Sequence, residues 1–344
     1  IQSLEKQFEY KIQKQVIPEI RELLKSTIYG TSGFKYSHLD TDKKLSALIS
    51  PEFHTLWNNH ELVAVAAYCN RTVMVNKKPY NAYYIRYFSV KPNYQGKGVG
   101  QYLTKEIETH YLNSLNQKTV FYGYIENKNL QSLAVSHQFK QEKIGQFKPV
   151  LFSRFFPKKD DRFENIDPIE FVKFVNQQYK SHALLHTNKI GYQGHCYGIR
   201  KNGELVAAIQ ANPTGWKIHS SPGVLGWLGR NIFHFLPVLG RLSPRTTFNY
   251  VAFEGCCALP ENKHLLIPLM ESCLALHQRH VGILYLDLAE SNFPYFKRSN
   301  RMGFMRKIQE PPAVQFLCNF IQIQDTEKEK FYELPKYISS FDLT

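Results

Sequence analysis

Residues 83–114 constrain the fold more than any other stretch. Tyr83–Val90 is dense in aromatic and β-branched side chains, the make-up of a buried strand. Pro92 follows, and a residue without an N–H suits a strand end. Gly96, Gly98 and Gly100 then supply a turn in which the backbone can take positive φ and lie close to a ligand. Val99, Leu103, Ile107 and Tyr111 recur at helical spacing. A strand, a glycine turn and a helix in this order aim free backbone N–H groups and the positive helix end at one spot, where a phosphate fits. The order Gly-x-Gly-x-Gly departs from the dinucleotide fingerprint, and the Gly-Lys-Ser/Thr of nucleotide-triphosphate loops is absent.

Gln95-Gly96-Lys97-Gly98-Val99-Gly100 resembles the acetyl-CoA loop of the GNAT acyltransferases, Gln/Arg-x-x-Gly-x-Gly/Ala. Phe88-Ser89-Val90-Lys91-Pro92 is similar to that family's fourth strand and its exit. The resemblance implies that loop amides hold the CoA pyrophosphate and that the strand splays near Phe88–Val90, where pantetheine bonds its backbone. The implied cofactor-binding set is Phe88, Ser89, Val90, Gln95, Gly96, Lys97, Gly98, Val99, Gly100, Gln101 and Asn127. The residues alone also allow a glycine-rich helix start with no ligand.

The 344 residues suffice for two domains, and 43% hydrophobic with 21% charged residues is globular. Neither a secretory signal nor a long uncharged apolar run occurs, so no spanning helix is expected. Cys69, Cys196, Cys256, Cys257, Cys273 and Cys318 form no Cys-x-x-Cys pair; no metal site is expected, and reduced, buried thiols in a cytoplasm are the reading. The net charge is +14, of which residues 1–160 carry +10. That excess suits a polyanion such as CoA, and no basic block or nucleic-acid module is legible.

Along the chain, Leu4, Phe8, Ile12, Val16, Ile20 and Leu24 predict a helix over residues 3–27, kinked at Pro18. A loop Gly30-Thr31-Ser32-Gly33 follows, then a short helix over 39–49, strands at 53–57 and 62–69 and the signature unit. Next come a strand at 119–125, a helix to Phe139 and strands at 142–147 and 150–156. The second half repeats the order: a helix opened by Asp167-Pro168, a hairpin about Lys201-Asn202-Gly203, a strand Asn249–Ala258 running into Leu259-Pro260, a helix over 265–280, a strand 281–288 and a last strand 314–323. The reading is α+β: two tandem GNAT-like domains, each a mostly antiparallel sheet flanked by helices, over 1–157 and 163–325, with a C-terminal tail at 326–344. The second half has Lys263–Pro268 in place of the glycine loop, so no CoA is expected there. Its apolar insertion, 213–244, contains Trp216, Trp227, Phe233 and Phe235. It reads as a packing insert or lid, or else as a wall for a lipophilic substrate or a membrane-surface helix, for which its cations are few.

The family's Asn-to-Gly-Phe motif is in register at Asn127 and Phe139, but Gln138 replaces the Gly and Ala134 the Tyr that often protonates the leaving thiolate. Family bases are often a Glu where Arg86 stands here; the equivalent of Arg86 in the second half is Glu254. Arg86 and Glu254 are candidates for substrate binding, each with a structural alternative, and Glu254 also for a base. Tyr124 and Glu126 are the catalytic candidates. The resemblance thus implies an N-acyltransferase that uses acetyl-CoA or another acyl-CoA on a small-molecule or peptide amine. The alternative is a CoA-binding or sensory protein without catalysis.

Overall fold

The computed structural model describes residues 7–30, 33–243 and 246–344. Thr31, Ser32, the first four residues of the expected helix over 3–27 (Leu4 among them) and the last residue of the 213–244 insertion lie outside the described residues. The strands are β1 (Glu9–Gln13), β2 (Lys35–His38), β3 (Pro51–Asn58), β4 (Glu61–Val75), β5 (Lys78–Val90), β6 (Thr119–Glu126), β7 (Glu142–Ser153), β8 (Phe163–Asn165), β9 (Cys196–Lys201), β10 (Glu204–Ser220), β11 (Thr247–Ala258), β12 (Val281–Asp287) and β13 (Val314–Ile321). They form one sheet in the order β1-β3-β4-β5-β6-β13-β7-β12-β11-β10-β9-β8, with β2 also paired to β10.

That order exchanges strands between the two halves. β13, late in the chain, pairs antiparallel with β6 of the first half, while β7 pairs antiparallel with β12 of the second. β13 and β7 pair with each other at the middle. Elsewhere the halves repeat each other. β5 runs parallel to β6, and β11 parallel to β12. The hairpins that precede them also match: Asn59 (φ 54°) turns the chain between β3 and β4, as Asn202 and Gly203 do between β9 and β10.

The repeat extends to a bulge. The β4–β5 register shifts between Val65↔Ser89 and Ala67↔Arg86, and the β10–β11 register by the same offset between Ala208↔Cys257 and Gln210↔Glu254. In each case one residue enters the left-handed region: Tyr87 (φ 55°) and Gly255 (φ 57°). Glycine is required at 255, where a Cβ would also stand 3.0 Å from Phe171 and Val175 side-chain carbons. At Tyr87 the same conformation is held by Arg86, whose guanidinium lies 4.0 Å from the Tyr87 ring centre and donates to its hydroxyl at 2.8 Å.

Three expected elements differ. Among the described residues the N-terminal helix spans Pro18–Ser26; Pro18 starts it, and Glu9–Gln13 pairs with β3 as an edge strand instead. The strands expected at 142–147 and 150–156 are one strand, β7. Pro149 is tolerated inside it because β13 ends opposite Phe147, leaving β12 as the neighbour beyond that point. Pro213–Ser220 continues β10 opposite Thr247–Val251 and β2, so the excursion from the sheet begins only at Ser221. The main core, with Tyr84, Tyr122, Phe147, Tyr250, Tyr285 and Phe316, spans both halves under the exchanged strands.

Candidate functional site

β5 keeps its pairing with β6 only from Asn81–Thr119 to Ile85–Gly123, although the strands run on to Val90 and Glu126. They part where Tyr87 turns, leaving a gap whose β5 edge is Arg86–Val90. The glycine turn stands at the end of this edge. Pro92–Tyr94 forms one 3-10 turn, Gly96 (φ 74°) and Gly98 (φ 78°) are left-handed, and a 16-residue helix, Val99–Ser114, begins with no side-chain cap. Among the described residues no acceptor takes the amides of Gly96, Lys97, Gly98, Val99 or Gly100. The Gln95 side chain is turned inward and donates to the Val90 carbonyl at 2.8 Å, tying turn to strand. Gly100 lets the helix press on that strand: a Cβ there would stand 3.3 Å from Phe88 Cε1. An uncapped helix start with a row of open amides is a cradle for an anion.

Other members of the expected set have structural tasks. Ser89 Oγ pairs with Thr27 Oγ1 at 2.7 Å, and Phe88 stays partly exposed over Gly100. Asn127 bonds through its amide to the Ala313 carbonyl and accepts from Gln146 through its side chain. The helix that follows is capped two residues later, by Asn129 Oδ1 on the Ser132 amide.

The face of the sheet beside the gap is covered by the end of the described chain. Residues 326–344, expected as a tail, pass through a helix Asp325–Glu333 and then lie across both halves, with Tyr337, Ser340, Phe341, Asp342 and Thr344 buried. Arg86 donates to the carbonyls of Phe341 (3.2 Å) and Thr344 (3.3 Å). Glu254 accepts from the Tyr337 hydroxyl (3.2 Å), Ser340 Oγ (3.0 Å) and the Phe341 amide (3.4 Å). Arg86 and Glu254 therefore do not pair with each other; both hold this segment. Burial pushes the Glu254 carboxyl up, against the pull of its donors.

Asp342 is the segment's charged anchor. Arg71 grips it through two nitrogens at 2.7 and 3.1 Å. Burial alone would raise its carboxyl, but Arg71 and His186 outweigh that and hold it well below the usual carboxylate range. Lys44 is buried as well, donates to Thr344 Oγ1 at 2.6 Å and lies 4.4 Å from the Phe341 ring centre. Burial first, then Arg86, brings its ammonium down to about 7.

Tyr124 sits on β6 just past Gly123, its ring against Tyr84, Phe147 and Phe316. Its hydroxyl is buried without a partner among the described residues, and burial holds it well above the usual phenol range. Glu126 lies at the end of β6 and adds, after burial, to the upward push on the Tyr36 phenol. Beyond lies an aromatic wall carried by β2, β10 and β11: Tyr36 is 4.6 Å and Tyr250 4.8 Å from Trp216, ring centre to ring centre. His38 Nδ1, Trp216 Nε1 and both polar atoms of the Asn212 side chain are buried there with no partner among the described residues. Burial, then Arg86 and Lys44, brings His38 down to about 3, so it stays neutral. Sequence reasoning missed Arg71, Lys44, His38, Asn212 and Asp342, because strand exchange and the 336–344 crossing bring them together from distant stretches.

Among the described residues no group of three His, Cys, Asp or Glu side chains is placed to hold a metal, and no helix is long and apolar enough to cross a membrane. All six cysteines are buried and free.

The acetyltransferase (GNAT) family model matches residues 17–139, which contain the gap, the turn and its helix. No curated protein matches the sequence. The fold is similar to that of Saccharomyces cerevisiae N-myristoyltransferase with bound myristoyl-CoA: TM-score 0.60 at 11% identity, covering 96% of this chain and 88% of that one. It is similar also to a probable N-acyltransferase from Enterococcus faecalis, with TM-score 0.54, 11% identity and coverage of 92% and 74%. A GCN5-related N-acetyltransferase from Sphaerobacter thermophilus gives TM-score 0.52 at 12% identity, covering 90% and 95%. The GNAT family match thus covers residues 17–139, and the whole chain, with the same strand-and-bulge plan in both halves, shares the fold of these solved acyltransferases.

Proposed function

We propose that this chain transfers an acyl group from acetyl-CoA or another acyl-CoA to an amine. The observation that carries the reading is the row of open amides from Gly96 to Gly100 at the head of a 16-residue helix, beside the gap between β5 and β6. The amides suit a pyrophosphate, with Lys97 and Gln101 at the rim, and the Arg86–Val90 edge suits the amide-bearing arm of pantetheine. Acyl-CoA supplies the activated acyl group. The Tyr124 hydroxyl, protonated at every working pH, suits hydrogen bonding to negative charge that develops beside the gap. Asn212, Trp216 and His38 offer unspent hydrogen-bonding groups on the other side, where a small-molecule or peptide amine would be oriented. Six free thiols suit a reducing compartment such as the cytoplasm.

A second reading, a CoA-binding protein without turnover, has one observation in its favour. Arg86 stands where family members often carry a Glu, and Glu254 is occupied by three donors. Calorimetric titration with acetyl-CoA, of the chain beside Gly98→Trp, tests the binding site. The chain binds and the variant does not; equal binding by both rejects the loop as the site. Release of free thiol with a panel of amines then separates enzyme from sensor: release dependent on an amine supports transfer, and tight binding without release supports the second reading.

A further inference from the structure

The segment between β10 and β11 displays apolar side chains from a fixed base. Its helix Gly223–Asn231 and the turns after it leave Val224 74%, Trp227 57% and Phe235 73% exposed, with Ile232, Leu236 and Val238 also open. The base is tied down. Leu242 is buried in the main core, Ser220 Oγ donates to the Gly33 carbonyl at 2.6 Å, and Arg241 donates to the Phe155 carbonyl at 3.1 Å. From Leu205 to Phe253 the sequence has no Asp or Glu, yet it includes Lys217, Arg230, Arg241 and Arg245. Beside the apolar surface opens a cavity of about 240 Å³ lined by Arg241, Arg279, His280, Thr247 and Asn249, with no acidic side chain in its wall. Arg279 Nε is buried and has no partner among the described residues.

We propose that this face docks on an anionic phospholipid surface. The apolar side chains enter the boundary between headgroups and acyl chains, where Trp227 suits the interface. A headgroup phosphate is held in the cavity by Arg241 and Arg279, whose guanidinium groups match its oxygens. The insertion's own cations are few, but Arg279 from outside it joins Arg241 in the cavity wall, and this charge selects the occupant. A second copy would bring the same acid-free cavity, with Arg241 and Arg279, against itself, whereas an anionic bilayer attracts each cation near its surface. The inference is independent of the acyl-transfer reading, because the cavity and the apolar face share no residue with the glycine turn.

The test is co-sedimentation of the full chain with phosphatidylcholine vesicles, with and without about one-third phosphatidylglycerol, beside two variants. Val224→Ser/Trp227→Ser removes side chains that are more than half exposed, and its thermal midpoint is followed as a folding control. Arg241→Gln/Arg279→Gln removes the phosphate partners, and its thermal midpoint is followed as a folding control. The chain is expected to bind only the anionic vesicles, with a blue shift of tryptophan emission that Trp227→Phe abolishes. Binding should weaken on the order of tenfold in the apolar variant and about fivefold for each cation removed. Absence of vesicle binding, or equal binding by the apolar variant, overturns the proposal. So does binding unchanged in the folded arginine variant. Self-association without lipid that the apolar variant abolishes assigns the face to a second copy and overturns it. Thermal stabilisation by inorganic phosphate without vesicle binding assigns the cavity to a soluble anion and overturns it as well.

Discussion

Arg86 and Glu254 occupy the same bulge position in the two halves, with opposite charge, and both bind the segment Tyr337–Thr344. The polarity of each contact follows from the charge. The guanidinium takes backbone carbonyls of Phe341 and Thr344, and the carboxylate takes a hydroxyl pair and the Phe341 amide. One stretch of chain thereby fills the centre of the tandem, where neither bulge side chain could stay unpaired in a dry interior.

Glu254→Ala should release that segment. The change strips three buried donors of their acceptor, which costs about 2–4 kcal/mol for a buried, hydrogen-bonded charge. Hydrogen exchange of the amides from Lys336 to Thr344 should speed up before that of β11. Arg86→Ala should do the same, and the double variant should fall short of the sum, because both act through the same backbone. Strict additivity would mean that the two contacts are independent.

Asp342→Asn leaves Arg71 without its counter-charge in the core. The expected loss is about 3–5 kcal/mol, read from denaturant unfolding. The acid limb changes too. The folded pKa of Asp342 lies below its unfolded value of about 3.9, so the ion pair stabilises fully above that pH and fades as pH falls below it. The wild-type chain should therefore lose stability below about pH 4 more steeply than the Asn variant. Parallel acid profiles for the two proteins would place the charge elsewhere.

Lys44 titrates in the opposite direction on the pH axis. Its folded pKa is about 7, against a model-peptide value of 10.5, so between the two the unfolded chain holds a proton that the folded chain has shed. Stability should rise with pH across that window, by up to about 1.4 kcal/mol per pH unit from this group. In Lys44→Met the rise between neutral and alkaline pH should flatten, and the variant should be the more stable protein at pH 7. A slope unchanged by the substitution would show that Lys44 remains charged in the fold.

Much of this was legible locally. The strand Tyr83–Val90, the glycine turn and the helix to Ser114 are fixed by short-range chemistry, and the structure has them where periodicity predicts. The Asn202-Gly203 turn was legible for the same reason. The exchange of β7 and β13 was not, because each is an ordinary strand in sequence and only the sheet decides its neighbour. The segment Glu9–Gln13 misled for a related reason: its apolar residues fit helical spacing, but pairing with β3 overrides the pattern. Residues 326–344 lack the long apolar run that announces a core, yet Asp342 is buried because Arg71, in β4, waits there.

Tyr124→Phe separates a catalytic hydroxyl from a structural one. In the folded chain the hydroxyl is buried with no partner among the described residues, so it contributes an unpaid desolvation cost and no hydrogen bond there. Removing it should leave the ring's contacts with Tyr84, Phe147 and Phe316 intact and raise stability by about 1 kcal/mol. A donor aimed at developing charge behaves differently in turnover, where its loss costs on the order of a hundredfold. The expected result is thus a more stable protein that binds acetyl-CoA as before and releases thiol far more slowly. A variant that is more stable and turns over normally would leave Tyr124 as core packing. One that is less stable would show that the hydroxyl has a partner in the folded chain.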